Sequence, residues 1–407
     1  MENQKSMGEK IREVGLQKFL APAALVILYI FFGIFGRNFF SYTTLVNILD
    51  SSYYIGFIAI GVTFVIITGG IDLSCGTVMM CAAIIGGTAY KSWGWPMWIS
   101  LILIMIVAIM FGYFNGFMVA HLGLPPFIAT LGTMMISMGV GSIVSNVRSA
   151  TFPTRSNPDG WFKDFFKYIT EGGHSIPTGA IILFSTAFIA YIILTKTKMG
   201  RYIFAVGSNK EAARLSGVNV KRWESMAYVV SGVMSGLGGI AFAAVYTTVM
   251  PARGNGFELY AIAGAVIGGT SLSGGIGTVF GTMIGVYIMS VLRTGLPSMD
   301  LQAHYQTFFT GVVVIGAVLL DIYRNKKASA VRILSPADLY REDINRKIAA
   351  LKVEGKTAEV SKLKKELKEN FSKMKGEEKA KKARILAEEK EAERQFAVEL
   401  DANREPS

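Results

Sequence analysis

The chain reads as an all-α polytopic membrane protein with about ten transmembrane helices, an internal repeat of broken helices and a charged helical extension at its C-terminus. Three observations predict this. The 407 residues are 51% hydrophobic, with a mean hydropathy of +0.42. The charges are segregated: long windows between residues 19 and 321 carry none, and Lys and Glu dominate from residue 323 on. One octet also recurs. Gly69-Gly70-Ile71-Asp72-Leu73-Ser74-Cys75-Gly76 returns as Gly268-Gly269-Thr270-Ser271-Leu272-Ser273-Gly274-Gly275, each copy between apolar runs.

Windows of roughly 20 apolar residues place spans at 19–36, 54–68, 76–90, 97–120, 126–144, 176–194, 226–249, 259–267, 278–292 and 305–320. The eighth is too short to cross as a regular helix, so it is tilted or half of a broken element. The first is not a signal peptide, because Arg37-Asn38-Phe39-Phe40 after it offers no small-residue cleavage site. Chain order then gives residues 1–18 as an N-terminal segment, 19–322 as the membrane domain with a basic loop at 195–222, and 323–407 as a tail.

Short basic loops set the orientation. Lys5, Lys10, Arg12 and Lys18 precede the first span. Lys196, Lys198, Arg201, Lys210, Arg214, Lys221 and Arg222 face a single acid, Glu211, in the loop. Arg324, Lys326 and Lys327 follow the last span. All three groups belong in the cytoplasm, and six spans followed by four satisfy that. The net charge of +12 reports this topology and the tail, not nucleic-acid binding, since no basic patch is interleaved with aromatics.

The broken octets carry the argument about a solute pathway. In a bilayer, non-helical backbone is tolerated only where protein buries it or water lines it. Matching Gly-interrupted segments in two halves of a chain point to a transport route, although two unrelated Gly-rich turns would look the same. The members are Gly69, Gly70, Asp72, Ser74 and Gly76 in the first copy and Gly268, Gly269, Ser271, Ser273 and Gly275 in the second. Asp72 has no basic neighbour in sequence, so backbone N–H groups of the break or a helix N-terminus should hold it. A neutral polar solute needs donors and acceptors beside apolar or aromatic faces. Asn47, Tyr54, Ser74, Asn115, Phe127 and Thr130 are the pathway candidates, and each could equally be packing glue between helices.

Absent motifs narrow the class. The sequence has no Gly-x-x-x-x-Gly-Lys-Ser/Thr phosphate loop, no Gly-x-Ser-x-Gly elbow and no His-Glu-x-x-His. No metal-ligand cluster is apparent: His121, His174 and His304 are scattered, and Cys75 and Cys81 read as small buried hydrophobes. Intramembrane acids are few, Asp50, Asp72, Glu258 and Asp321, with no basic partner at mid-span. The chain looks like a pathway whose energy source is another protein, with no catalytic residues and no cofactor of its own.

In the basic loop a short apolar stretch, 202–206, precedes a turn at Gly207-Ser208-Asn209. Residues 210–216 form a short helix that Gly217 ends. Ala212, Ala213 and Ser216 give this helix a small-residue face on which another backbone can approach closely; a solvated loop has the same spacing.

Four stretches together resemble the ribose/galactose-type permeases, the membrane subunits of ABC importers for simple sugars. They are Thr68 to Ser74; Asn115-Gly116 with the run from Leu124 to Gly132; Gly200-Arg201 with Ala205, Gly207, Asn209, Ala212, Ala213, Ser216 and Gly217; and Glu258 through Gly277. The resemblance runs in order from about residue 45 to 321 and is nearest to the galactose/methyl-galactoside members. It implies a second permease subunit, two ATPase subunits that supply the ATP site on the cytoplasmic face, an extracytoplasmic sugar-binding protein, and a bacterial inner-membrane location. It makes the 200–217 segment a coupling loop. An ion-coupled carrier of small solutes is the alternative, and a scaffold working through its tail is a third class.

The tail departs from the family. Ser335-Pro336-Ala337-Asp338 is a helix start. Leu339, Ile344, Ile348 and Leu351 form one stripe, and Val360, Leu363, Leu367, Phe371 and Met374 a second. A helical hairpin or short coiled coil results, docking on the ATPase or the sister permease, or else a solvated helical tail.

Overall fold

The computed structural model describes residues 7–329 and, beyond them, 340, 344–345, 348, 363, 366–367 and 370–376. The first unit, through Lys327, is a helical bundle. Its helices are α1 (Met7–Phe35), α2 (Tyr42–Ile67), α3 (Cys75–Lys91), α4 (Met97–Ala120), α5 (Pro126–Val144), α6 (Gly179–Lys196), α7 (Lys198–Ser208), α8 (Lys210–Leu215), α9 (Val220–Tyr246), α10 (Phe257–Ile267), α11 (Val279–Ser298) and α12 (Ala303–Ser329).

Seven of them, α2, α4, α5, α6, α9, α11 and residues 304–323 of α12, are long and apolar enough to cross a membrane. The apolar part of α1 and all of α10 are shorter. The chain is therefore a multi-pass, all-α membrane protein. α2 is the central post: its most apolar window is wholly buried, whereas that of α12 is 17% buried. α4, α5 and α6 turn Ile106, Met110, Phe127, Ile181 and Phe188 outward, where lipid or another subunit covers such faces at no hydrophobic cost.

Small residues set the tightest packing. A Cβ on Gly112 of α4 would lie 2.6 Å from the carbonyl of Tyr228 and 2.9 Å from Cα of Gly232, both on α9. Gly116 meets Ser225 in the same way, so α4 and α9 touch backbone to backbone.

Between α5 and α6 a small cap forms at one end of the bundle. β1 (Ala150–Thr151) pairs antiparallel with β4 (Thr248–Val249), and β2 (Tyr168–Ile169) with β3 (Ser175–Ile176). A 3₁₀-helix at Pro158–Phe165 lies between the two pairs in sequence, and its own Phe162 is buried, as are Phe152 and Phe166. α6 then runs away from the cap, so α7 and α8 lie at the opposite end.

Some helix limits differ from the hydropathy windows. α9 starts at Val220 rather than 226, because the Asn219 side chain caps it by accepting from the Arg222 amide at 3.1 Å. α11 continues past 292 to Ser298 and carries Arg293 inside it, and aromatic rings accommodate that charge. The basic segment 195–222 is not a loop with one short helix: α7 precedes α8 as a full helix, capped by Thr197.

In the second unit, Ile344 and Ile348 pack with Tyr340, Leu363 and Leu367, and Asn370 Nδ2 donates to the Tyr340 hydroxyl at 2.9 Å. Members of the two sequence stripes thus meet. Leu339, Leu351, Val360 and the start at Ser335 lie outside the described residues.

Candidate transport site

Both octets end a helix in the same way. α2 stops at Ile67 and α10 at Ile267, and Gly69 and Gly269 follow with φ of +80° and +97°. Only glycine adopts this left-handed conformation without strain. In each case two amides turn back onto the helix: Gly69 N to Ile66 O and Gly70 N to Val65 O, Gly269 N to Val266 O and Thr270 N to Ala265 O. The structural register is therefore Gly69 with Gly269, one residue off the alignment of the octets, because the helix end sets the turn and the Gly-Gly pair only permits it. The copies then diverge. α3 starts at Cys75, whereas the second break continues to Thr278, which caps α11.

The two breaks meet. Gly275 N donates to Ile67 O at 2.9 Å, and Gly207 of α7 sits against both: a Cβ there would overlap Ile67 O and lie 2.6 Å from Gly275 N. Gly274 in turn approaches Gly207 O and Gly69 N. The α7–α8 elbow thus rests directly on the junction of the breaks.

A carboxylate holds each break. Asp72 Oδ1 accepts from the Ser74 amide at 2.9 Å and the Ser74 hydroxyl at 2.7 Å, and Oδ2 accepts from Ser231 of α9 at 2.6 Å. Asn115 Nδ2 donates to Ser74 Oγ at 2.8 Å. Thr77 donates to Ser74 O, and Ser137 to Thr77. Asp72, Ser74, Asn115 and Ser231 are all buried. In the second break Asp321 Oδ2, from α12, accepts from the Leu272 amide at 3.0 Å and from Ser271 Oγ at 3.4 Å.

Asp72 lies at depth. Ser231 is about 16 Å along α9 from its first residue. Here the N-termini of two short helices converge: a Cβ on Gly76 of α3 would lie 2.6 Å from Gly254 O and 3.0 Å from the Glu258 amide of α10. Glu258 Oε1 accepts from the Gly256 amide at 2.8 Å. Asp72 and Glu258 thus sit at adjacent helix N-termini, where the macrodipoles favour negative charge. Asn115 Oδ1 and Glu258 Oε2 are buried acceptors without partners.

The structure brings together Asp72, Ser74 and Asn115, with Thr130 Oγ1 at 3.5 Å from Ile71 O. It leaves Asn47 and Phe127 exposed, on α2 and α5. Tyr54 is buried in a separate aromatic cluster. Within the elbow, Gly200 packs against Leu194 O, Ala205 is half-buried, Asn209 Oδ1 accepts from the Ala212 amide to cap α8, and Gly217 ends it at φ +80°. Arg201, Ala212 and Ser216 are exposed, but Ala213 is buried against the bundle. The small-residue face therefore splits, since residues one position apart on a helix point about 100° apart. Leu215, by contrast, is 86% exposed.

Sequence reasoning missed Ser231, Leu215 and Arg293. Ser231 gives no sequence signal within an ordinary small-residue helix. Leu215 was legible as an apolar residue in a basic segment. Arg293 looked like the end of a span. Among the described residues no group of three or more His, Cys, Asp or Glu is placed to hold a metal ion.

A multi-pass helical bundle whose helices break on hydrogen-bonded glycine turns beneath a surface elbow has the build of a membrane transport protein. A family described as branched-chain amino acid transport system / permease component matches residues 44–318, and the chain belongs to it. It is 34% identical over 304 residues to the ribose import permease protein of Haemophilus influenzae, covering 75% of this chain and 93% of that one. Identity is also 34% to the fructose import permease protein of Rhizobium meliloti, over 77% of this chain and 89% of that one. The galactose/methyl galactoside import permease protein of Salmonella typhimurium is 34% identical over 80% of this chain and 99% of its own length.

Proposed function

We propose that the chain is the membrane-spanning subunit of an ATP-driven ABC importer and forms the pathway for a simple sugar. Three relatives with the same identity are named for ribose, fructose and galactose. The shared chemistry is therefore a monosaccharide rather than any one of them. ATP is bound by separate ATPase subunits, a binding protein outside delivers the sugar, and a second permease subunit, most simply another copy, completes the pathway. The protein sits in a bacterial inner membrane, crossing about ten times, with both termini in the cytoplasm. The tail is an appendage to this machinery and is not needed to carry solute.

The observation that supports this reading best is the α7–α8 elbow. It sits on the junction of the two breaks through Gly207 and exposes Leu215 beyond it. Force on α8 from a docked ATPase reaches the breaks through backbone contact, without flexible side chains in between. Lys210 Nζ to Glu224 Oε1 at 2.6 Å fixes α8 to α9.

Leu215→Asp tests it in a reconstituted complex. Binding of the ATPase and its stimulation by sugar-loaded binding protein should fall, with the melting temperature of the permease unchanged. Normal coupling in that variant would make the elbow an ordinary connection. Sugar uptake by the permease alone, driven by an ion gradient, would favour the ion-coupled carrier instead.

A further inference from the structure

Resting on the sugar-import reading, we infer that Arg293 and the rings around it form a contact site for the transported sugar. Arg293 lies near the end of α11 farther from the helix breaks. Its guanidinium carbon is 5.6 Å from the ring centre of Tyr54, 5.4 Å from that of Phe257 and 5.4 Å from that of Tyr260. Phe242 and Tyr246 extend the cluster, their ring centres 5.4 Å and 5.9 Å from that of Tyr54. The six side chains come from α2, α9, α10 and α11.

A cation at this depth is costly unless it is paired. No carboxylate lies within ion-pair distance of Arg293 among the described residues. The rings attract its charge, and the Tyr260 hydroxyl engages one side of its fork of five N–H donors. The Tyr54 hydroxyl is fully buried beside that of Tyr246, without a hydrogen bond of ordinary geometry among the described residues. The cluster thus combines aromatic faces, a fork of N–H donors and buried hydroxyls.

A monosaccharide presents the complement: an apolar face of C–H groups and an edge of hydroxyls. Rings take the face, and the guanidinium with the Tyr54 hydroxyl takes the edge. The position also fits. α11 begins beside the breaks, so Arg293 lies toward the cap, the end at which an extracytoplasmic protein would release solute. The Asp72–Ser231 network lies deeper. The cluster is a first holding site, and the breaks lie beyond it.

The test uses the full complex in vesicles, with permease, ATPase and binding protein. ATP hydrolysis stimulated by sugar-loaded binding protein and entry of radiolabelled sugar are measured together. Tyr54→Phe removes only a hydroxyl and keeps the ring, and Arg293→Lys keeps the charge but loses the fork. Loss of one such hydrogen bond should lower sugar imported per ATP about tenfold. It should also alter the preference between two epimers that differ at one hydroxyl, with the melting temperature of Tyr54→Phe unchanged. If Tyr54→Phe leaves both ratio and preference as in the parent, the cluster is a clamp between helices and the assignment is overturned, whatever Arg293→Lys does to stability. Failure of the unmutated complex to import any pentose or hexose would instead overturn the sugar-import reading on which the site rests.

Discussion

The amide of Gly275 donates to the carbonyl of Ile67 at 2.9 Å, joining the second helix break to the last turn of the helix before the first. Residues 208 positions apart in sequence thereby become one structural unit, and Gly207 closes it from the α7 side. A disturbance at this point reaches both breaks at once.

Gly207→Ala should show this. A methyl group there would overlap the Ile67 carbonyl, and backbone cannot swing aside as a flexible side chain can. The permease should still insert, because its apolar spans are untouched, but its melting temperature should drop by several degrees. ATP hydrolysis by the complex should lose its response to loaded binding protein. Gly217→Ala, at the exposed end of α8, is the control: it strains a single positive-φ residue and should leave the junction intact.

Asp72→Ala strands the Ser74 amide and the Ser231 hydroxyl in a buried site. Each unsatisfied group costs about 1–3 kcal/mol, so expression and thermal stability should fall sharply. Ser74→Ala removes one hydroxyl between Asp72 and Asn115 and should cost about 1–2 kcal/mol, which the fold survives. Detergent-solubilised melting curves of the two variants decide it: equal stability would mean that Asp72 does not hold the break.

The cap is tied to the bundle by Lys167 Nζ and Asp50 Oδ2 at 2.7 Å, with Asp50 almost wholly buried. Lys167→Ala leaves an uncompensated buried carboxylate, a change that costs about 3–5 kcal/mol. The double variant Asp50→Asn with Lys167→Met should recover most of the loss. Hydrogen exchange of residues 150–178 would report it, and a double variant as labile as the single one would show that the pair is not the tie.

Lys163, on the 3₁₀-helix of the cap, donates to Thr247 Oγ1 at 2.6 Å, and burial followed by the nearby Arg155 charge pushes its amine down to about 8. In the unfolded chain the amine keeps its proton to about 10.4. Between those values the unfolded state binds more protons, so cap stability should rise with pH across that window and be lowest below 8. Hydrogen exchange of the cap, corrected for the intrinsic rate, should slow between pH 8 and 10. Lys163→Met should remove that dependence.

The sequence by itself determined the class, the two breaks, the polar residues beside them and the amphipathic stripes of the tail. Apolar runs, Gly-Gly pairs and segregated charge are local properties, and the bilayer and the backbone respond to them locally. Asp72 was legible as a carboxylate needing backbone donors because an unpaired charge at depth is untenable. What only the tertiary structure decided was adjacency. Ser231 reaches Asp72 from 159 positions away, and Gly207 reaches Gly275 through bare backbone, where no side-chain type signals the contact. Ala213, expected on an open small-residue face, is buried, because the rotation of a six-residue helix depends on the surface beneath it. Arg293 looked like the end of a span because a charge in sequence carries no sign of its neighbours. The fold surrounds it with three rings drawn from two other helices, α2 and α10, and that makes its burial tolerable.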